Sequence, residues 1–300
     1  MKYRIKHITR YQYSLPVSHC YNLAYVLPRA TERQRVEDIK IDISPKVSGY
    51  TQHADYFGNQ FLQFSIEKDH SELDVSITSE LVIKEINHNI NLDFGTPCSY
   101  VQYLLANNKD WETLNAREFM LDSPMVQQHQ DLADYAAPSF ANDRPFLSAV
   151  MELTQRIFNE FTYDPQFSDV ATPLADVLKH KRGVCQDFAH LAIGCLRSLG
   201  YPARYVSGYL ETLPPPGQEK LVGADATHAW FAVYSPGEGW YEFDPTNNTM
   251  AGSQHITTAW GRDYSDVTPL KGVIFGGGLS PQLFVSVDVQ RITEDLIQRL

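Results

Sequence analysis

The sequence predicts an α+β protein: an N-terminal antiparallel β-sandwich, then a core in which a cysteine-bearing helix packs on a second antiparallel sheet. Two changes of hydrophobic period predict it. Apolar and polar residues alternate through Ile83, the period lengthens from about Pro97, and alternation returns at Arg204. The expected division is a β domain over residues 1–95, a helical connection over 96–142, and a third unit over 143–300 ending in a β tail.

In the first unit, Tyr3, Ile5, His7, Thr9, Tyr11 and Tyr13 fall on one side of a period-two pattern, with Lys2, Arg4, Lys6, Arg10 and Gln12 mostly opposite. Ile39, Ile41 and Ile43 alternate with Lys40 and Asp42 until Pro45. Asp55-Tyr56-Phe57-Gly58-Asn59 supplies turn chemistry before a strand from Phe61 to Ile66, and Leu73 to Ile83 alternates again. Several strands joined by turns, without a strong helix signal, indicate an antiparallel sandwich or open barrel.

Three helices follow. Between Asp143 and Phe161, residues Leu147, Val150, Met151, Thr154, Ile157, Phe158 and Phe161 share a helical stripe, with Pro145 in the first turn. Thr172-Pro173 opens a short second helix, Thr172 being the expected cap. The third lies between Gly183 and Gly200, with Phe188, Leu191, Ala192, Cys195, Leu196 and Leu199 as its buried stripe. Strands are expected over Arg204–Leu210, Thr227–Tyr234 and Trp240–Asp244, with Pro214-Pro215-Pro216-Gly217 forming a stiff polar loop. After Gly276-Gly277-Gly278, Leu283, Val285, Val287 and Val289 alternate as a final strand.

Composition removes several function classes. The 300 residues carry 36 Asp and Glu against 25 Lys and Arg, a net charge of −11, with the basic residues scattered. That balance is wrong for nucleic acid or for a basic membrane-surface patch. No run of about 18 apolar residues is present to span a bilayer. The opening Met1–His7 alternates rather than forming a signal-peptide core. The four cysteines include no C-x-x-C pair, so reduced thiols and a cytoplasmic location are expected. Cys185, Asp187 and His190 are ligand types, but five residues of helix turn His190 about 140° away from Cys185. H-E-x-x-H, paired C-x-x-C, Walker A and G-x-S-x-G motifs are all missing. No metal and no cofactor are expected.

Three segments carry chemistry: Gly183–His190, Thr227–Trp230 and Trp240–Pro245. Cys185 opens the third helix, where unpaired N–H groups and the dipole favour a thiolate. Cys195, mid-stripe, reads as a small buried hydrophobe. If Ser235–Gly239 is a hairpin loop, Tyr234 pairs with Trp240 and Trp230 lies opposite Asp244. His228 is then a diagonal neighbour of Asp244 on the same face, close enough for carboxylate and imidazole to meet. Nucleophile, base and orienter are the parts of thiol acyl transfer.

These segments resemble the transglutaminase-like superfamily of cysteine acyl-transfer enzymes and peptidases, in particular its bacterial members with an N-terminal β domain. Gly183-Val184-Cys185-Gln186-Asp187-Phe188-Ala189-His190 and Pro202-Ala203-Arg204-Tyr205-Val206-Ser207-Gly208-Tyr209 match the family pattern. So do Thr227-His228-Ala229-Trp230, Asp244-Pro245-Thr246-Asn247 and Gly261-Arg262-Asp263-Tyr264-Ser265-Asp266-Val267, and the Tyr56–Asn59 turn resembles its N-terminal region. The resemblance implies a papain-like core, with Cys185 as nucleophile, His228 as base and acid, and Asp244 as orienter. A protein or peptide amide would pass through a Cys185 thioester to water or an amine.

An oxyanion site needs donors beyond the Cys185 N–H. Lys179 stands where a papain-type glutamine would be, and Tyr163 is the candidate. Gln186 and Asp187 are expected to complete the helix start, with a surface ion pair between Asp187 and His190. Arg204, Trp230, Asp263 and Asp266 are cleft candidates, structural pairing being the competing role. A catalytically silent protein-binding module on the same fold is the alternative function.

Overall fold

The computed structural model describes residues 1–84, 91–212 and 226–292. Five strands come first: β1 (Lys2–Ala24), β2 (Gln34–Ser44), β3 (Tyr50–Ala54), β4 (Gln60–Ile66) and β5 (His70–Ile83). Helices α1 (Cys98–Asn107), α2 (Trp111–Ala116), α3 (Gln130–Ala136) and α4 (Phe146–Glu160) follow. Then come the short strand β6 (Thr162–Tyr163), α5 (Leu174–His180), its partner β7 (Arg182–Gly183) and α6 (Cys185–Ser198). The remaining strands are β8 (Ala203–Leu210), β9 (Ala226–Ser235), β10 (Gly239–Asp244), β11 (Thr249–Met250), β12 (His255–Gly261), β13 (Leu270–Gly276) and β14 (Gln282–Arg291). The proline-rich loop at Pro214–Gly217 lies outside the described residues. Among those described, no helix is long and apolar enough to cross a membrane.

One long strand organises the N-terminal sheet. Lys2–Gln12 of β1 pairs with β5 on one side, and β14 pairs along Tyr3–Gln12 on the other. Beyond the register break between Gln12 and Val17, β1 meets β5 only where Val17 lies opposite His70, and then pairs with β4 and β13. Pro16, with no N–H to give the ladder, sits in that break. Val17, Cys20, Leu62, Phe64 and Ile66 share a buried core with Ile43, Leu73, Val75 and Ile77. This is the expected antiparallel β unit. The two C-terminal strands, anticipated as a tail of the third unit, belong to this N-terminal sheet. Alternation identifies a strand, whereas its pairing partner lies some 280 residues earlier in the chain, as Tyr3 opposite Arg291 illustrates.

The second sheet runs β11-β10-β9-β8-β12, antiparallel throughout. Ala229, Phe231 and Val233 of β9 pack with Phe188, Leu191, Ala192, Cys195 and Leu196 of α6. The alternate residues Trp230 and Ala232 join Val206, Ala251, Trp240 and Trp260 in a separate cluster. Helix α6 is buried on every side from Asp187 to Arg197, a wider burial than one stripe. In α4 the core face is Phe146, Ala149, Val150, Leu153, Thr154 and Ile157, while Phe158 is exposed. The period was legible there, but the stripe's centre is set by Leu153, a residue the expected face omitted. Pro145 and Pro173 each occupy the position just before their helix rather than its first turn, so Thr172 does not cap.

Candidate functional site

Cys185 is the first residue of α6 and a partly buried free thiol. The helix start is fixed from within: the Asp187 carboxylate accepts the Val184 N–H at 2.8 Å and the Ser168 hydroxyl. Burial raises the Asp187 pKa, with those two hydrogen bonds opposing it. Gly183 leaves the carboxylate its space, since a Cβ there would lie 2.8 Å from Asp187 Cβ and Oδ2. The Cys185 N–H, in the first turn, has no acceptor within its own helix.

The hairpin adopts the expected register. Trp240 pairs with Tyr234 and Phe243 with Phe231, which sets Asp244 against Trp230 and His228 diagonally beside it. His228 Nε2 lies 2.7 Å from Asp244 Oδ2. Asn247 Nδ2 lies 3.4 Å from the same Nε2, and the nearby Cys185 thiol adds to the forces that raise the imidazole's pKa. The body of α6 packs on the opposite face of β9, so the thiol meets His228 only because it sits at the helix tip.

Asp244 is wholly buried and heavily solvated by protein. Its Oδ1 accepts the Thr246 and Asn247 N–H groups at 2.9 and 3.2 Å. Its Oδ2 accepts Asn247 Nδ2 at 2.7 Å and faces His255 Nε2 at 3.0 Å. Burial alone would raise its pKa, but the bonds from His228 and His255 and the His228 charge hold it well below the usual carboxylate range. Burial likewise works against a charged His228, yet its bonds to Asp244 and Cys185 push it up to about 10.

Neither His255 nor Asn247 was among the expected site residues. Asn247 had a signal, because an Asx residue after Asp-Pro favours a local turn. His255 arrives from the first position of β12, and no local pattern announces it. The Gly252 N–H donates to His255 Nδ1 at 3.1 Å, so its Nε2 carries the proton directed at Asp244. His228, Asp244 and His255 offer ligand atoms within 4.8 Å of one another. That tautomer fills the shared space with hydrogen bonds, and a cation would have to displace the His255 proton.

The remaining candidates separate. Trp230 is buried beside the site, its ring centroid 6.0 Å from His228 and 5.2 Å from His255, its Nε1 donating to Glu242 at 2.8 Å. Tyr163, half exposed, pairs through its backbone with Gly183, and Cys185 contributes to its raised pKa after burial. Gln186 is partly buried next to the thiol. Asp263 is buried and takes the Met125 N–H and both Ser265 donors. Asp266 holds Arg262 through its backbone N–H and its guanidinium. Both are thus engaged structurally, stabilising the turn after β12. The surface pair of Asp187 and His190 does not form: His190 is buried, accepts the Tyr264 N–H at 3.1 Å, and is lowered to about 4 by burial. Arg204 is stacked between two indoles, those of Trp240 and Trp260.

A partly buried thiol at a helix tip over an antiparallel sheet is the architecture of papain-like thiol proteins. Residues 133–245 match the transglutaminase-like superfamily, and residues 3–82 match the bacterial transglutaminase-like N-terminal region. An uncharacterized protein of Mycobacterium tuberculosis is 36% identical over 300 residues, covering 96% of this chain and 92% of its own. A protein-glutamine gamma-glutamyltransferase of Pseudomonas aeruginosa is 32% identical over 117 residues, 38% of this chain and 17% of that protein. A solved Cytophaga hutchinsonii protein, provisionally assigned as a cysteine protease, shares the fold with a TM-score of 0.75. It is 24% identical, over 97% of this chain and 90% of its own. The chain belongs to the bacterial transglutaminase-like family, a cysteine-dependent enzyme family by fold and homology.

Proposed function

We propose that this protein is a thiol acyl-transfer enzyme acting on peptide or glutamine-type amides, with Cys185 as nucleophile, His228 as acid and base, and Asp244 as orienter. The observation that carries this reading is the His228 imidazole held by Asp244 at 2.7 Å in the neighbourhood of the free, partly buried Cys185 thiol at the first turn of α6. The thiolate adds to the carbonyl carbon, and the negative oxygen is met by the Cys185 N–H and the Tyr163 hydroxyl. The intermediate collapses as His228 passes its proton to the leaving amine, giving a thioester and a neutral imidazole. Water or a second amine, deprotonated by His228, then attacks the thioester and restores the thiolate. The glutamyltransferase relationship supports a glutamine carboxamide as one substrate class, and the protease-like fold supports a peptide bond as the other.

The test uses glutamine-containing peptides with a labelled primary amine, reading amine incorporation and ammonia or peptide release together, beside a Cys185→Ala control. Thiol-dependent turnover of either kind, lost in the control, is expected. Turnover unchanged in Cys185→Ala would end the reading.

A further inference from the structure

On the face of the second sheet opposite α6, a cavity of about 1250 Å³ opens between the N-terminal β unit, the helical connection and strands β8 to β12. Its size exceeds what a small ligand needs, and boundaries between structural units are where ligand sites concentrate. Arg204, on β8, lines it. The guanidinium lies 4.1 Å from the Trp240 ring centroid and 3.8 Å from that of Trp260. Arg29 covers Trp260 as well, at 3.5 Å, so cations and indoles stack in alternation.

The polar accounting at Arg204 does not close. Only 8% of the residue is exposed, and its Nε is sealed from solvent with no acceptor. Among the described residues it makes no ion pair and donates no hydrogen bond. Glu242, the nearest acid to influence it, is already occupied by Arg33 at 2.9 Å and Trp230 at 2.8 Å. A guanidinium has five N–H donors, and leaving them unmet in a buried setting is costly. Cation–π contacts on its faces leave the in-plane donors free. The Nη groups, with no hydrogen-bond partner among the described residues, are free to meet a ligand entering the cavity that Arg204 lines.

We infer that this cavity is a binding site for an aromatic or apolar ligand bearing a single carboxylate, with Arg204 as the bidentate anchor. The lining selects that class. Trp240, Trp260 and Phe119 offer an apolar wall, whereas Glu32, Glu112, Glu118 and Glu238 make the rim acidic. Polyanions are repelled by such a rim, while one carboxylate can reach the cation behind it. Arg204 is four positions along β8 from Gly208, which pairs with His228, placing the anchor's backbone about 13 Å along the strand from the point opposite the imidazole. The site is therefore distinct from the thiol centre.

Calorimetry on the intact protein with 3-phenylpropionate, its alcohol 3-phenylpropan-1-ol, and inorganic phosphate tests this without supplying an amide to the thiol. The acid should bind at least tenfold tighter than the alcohol and tighter than phosphate, and should shift the indole N–H resonances of Trp240 and Trp260. Folded Arg204→Met should lose the preference for the acid. Equal binding of acid and alcohol, no binding of the acid up to 10 mM, phosphate binding as tightly, or an acid preference surviving in folded Arg204→Met would each overturn the assignment. Should that variant not fold, the wild-type affinities and indole shifts decide alone.

Discussion

Asp244 Oδ2 is one atom facing three donors, His228 Nε2, His255 Nε2 and Asn247 Nδ2, and the charge on His228 depends on how that atom is shared. With its partners in place His228 sits at about 10 against an ordinary 6.5, which gives the linkage its sign. The raised pKa contributes stability that is fully present below pH 6.5 and is lost as pH rises toward 10. The same charge keeps an imidazolium beside the thiol through neutrality. In Asp244→Asn the principal raising contact is gone while burial still lowers the pKa, and at pH 7 each unit by which the pKa falls below 7 costs about tenfold in imidazolium. Iodoacetamide at pH 7 should therefore modify Cys185 far faster than Cys195, whose thiol is buried and pushed well up. Asp244→Asn should slow Cys185, by about tenfold for each unit that the His228 pKa falls below 7. His255→Leu should slow it less, and His255→Gln, which keeps a donor, should restore most of the rate. Equal slow labelling of both cysteines would remove the nucleophile from the proposal.

The start of α6 concentrates several demands within five residues. Gly183 pairs with Tyr163, Val184 gives its N–H to Asp187, and Cys185 projects from the first turn. Much of this was readable in advance: Gly183 and Gly200 bracket the helix, and parity along the β9–β10 hairpin placed His228 beside Asp244. What escaped was whatever depends on distant partners. Asp187 and His190 looked like a surface pair because i+3 spacing is visible in a sequence, whereas the Tyr264 N–H that claims His190 is 74 residues away. His255 was missed for the same reason, since β12 pairs with β8 and reaches Asp244 only after the whole sheet is assembled. The local device yields its own prediction. In Gly183→Ala the new methyl would clash with Asp187 Cβ and Oδ2, so the carboxylate must release Val184. Loss of that buried charge-assisted bond should lower stability by about 1–3 kcal/mol, read from urea unfolding. Cys185 alkylation should slow in parallel, even though no reacting group has been touched. Wild-type behaviour in both measurements would show that the helix start needs neither the glycine nor the Asp187 contact.

At the scale of the molecule, the ends of the described chain and the second sheet are tied at one buried carboxylate. Glu211, following β8, accepts the Tyr3 hydroxyl at 3.1 Å and the Arg291 guanidinium at 2.9 and 2.7 Å. The same seam is apolar beneath: Tyr3, Ile5, Leu81, Ile83, Val287 and Val289 pack with Tyr209 and Ile256 of the second sheet. His7 adds a bond to the Tyr209 hydroxyl at 2.8 Å. The N-terminal β unit is therefore completed by strands that follow the core in sequence and is docked on it by a packed, hydrogen-bonded face. That arrangement makes independent unfolding of the β unit costly, because releasing it uncovers both β14 and the β8–β12 edge. Glu211→Gln keeps the shape but removes the charge that Arg291 faces, and should cost about 1–3 kcal/mol, as for a charge-assisted hydrogen bond. Because the seam couples both units, the loss should appear as one earlier cooperative transition in far-ultraviolet circular dichroism and in Trp230 environment alike. Two separated transitions in the variant, with the second sheet melting as in wild type, would mean that the β unit is an appendage and that the seam does not carry its stability into the thiol site.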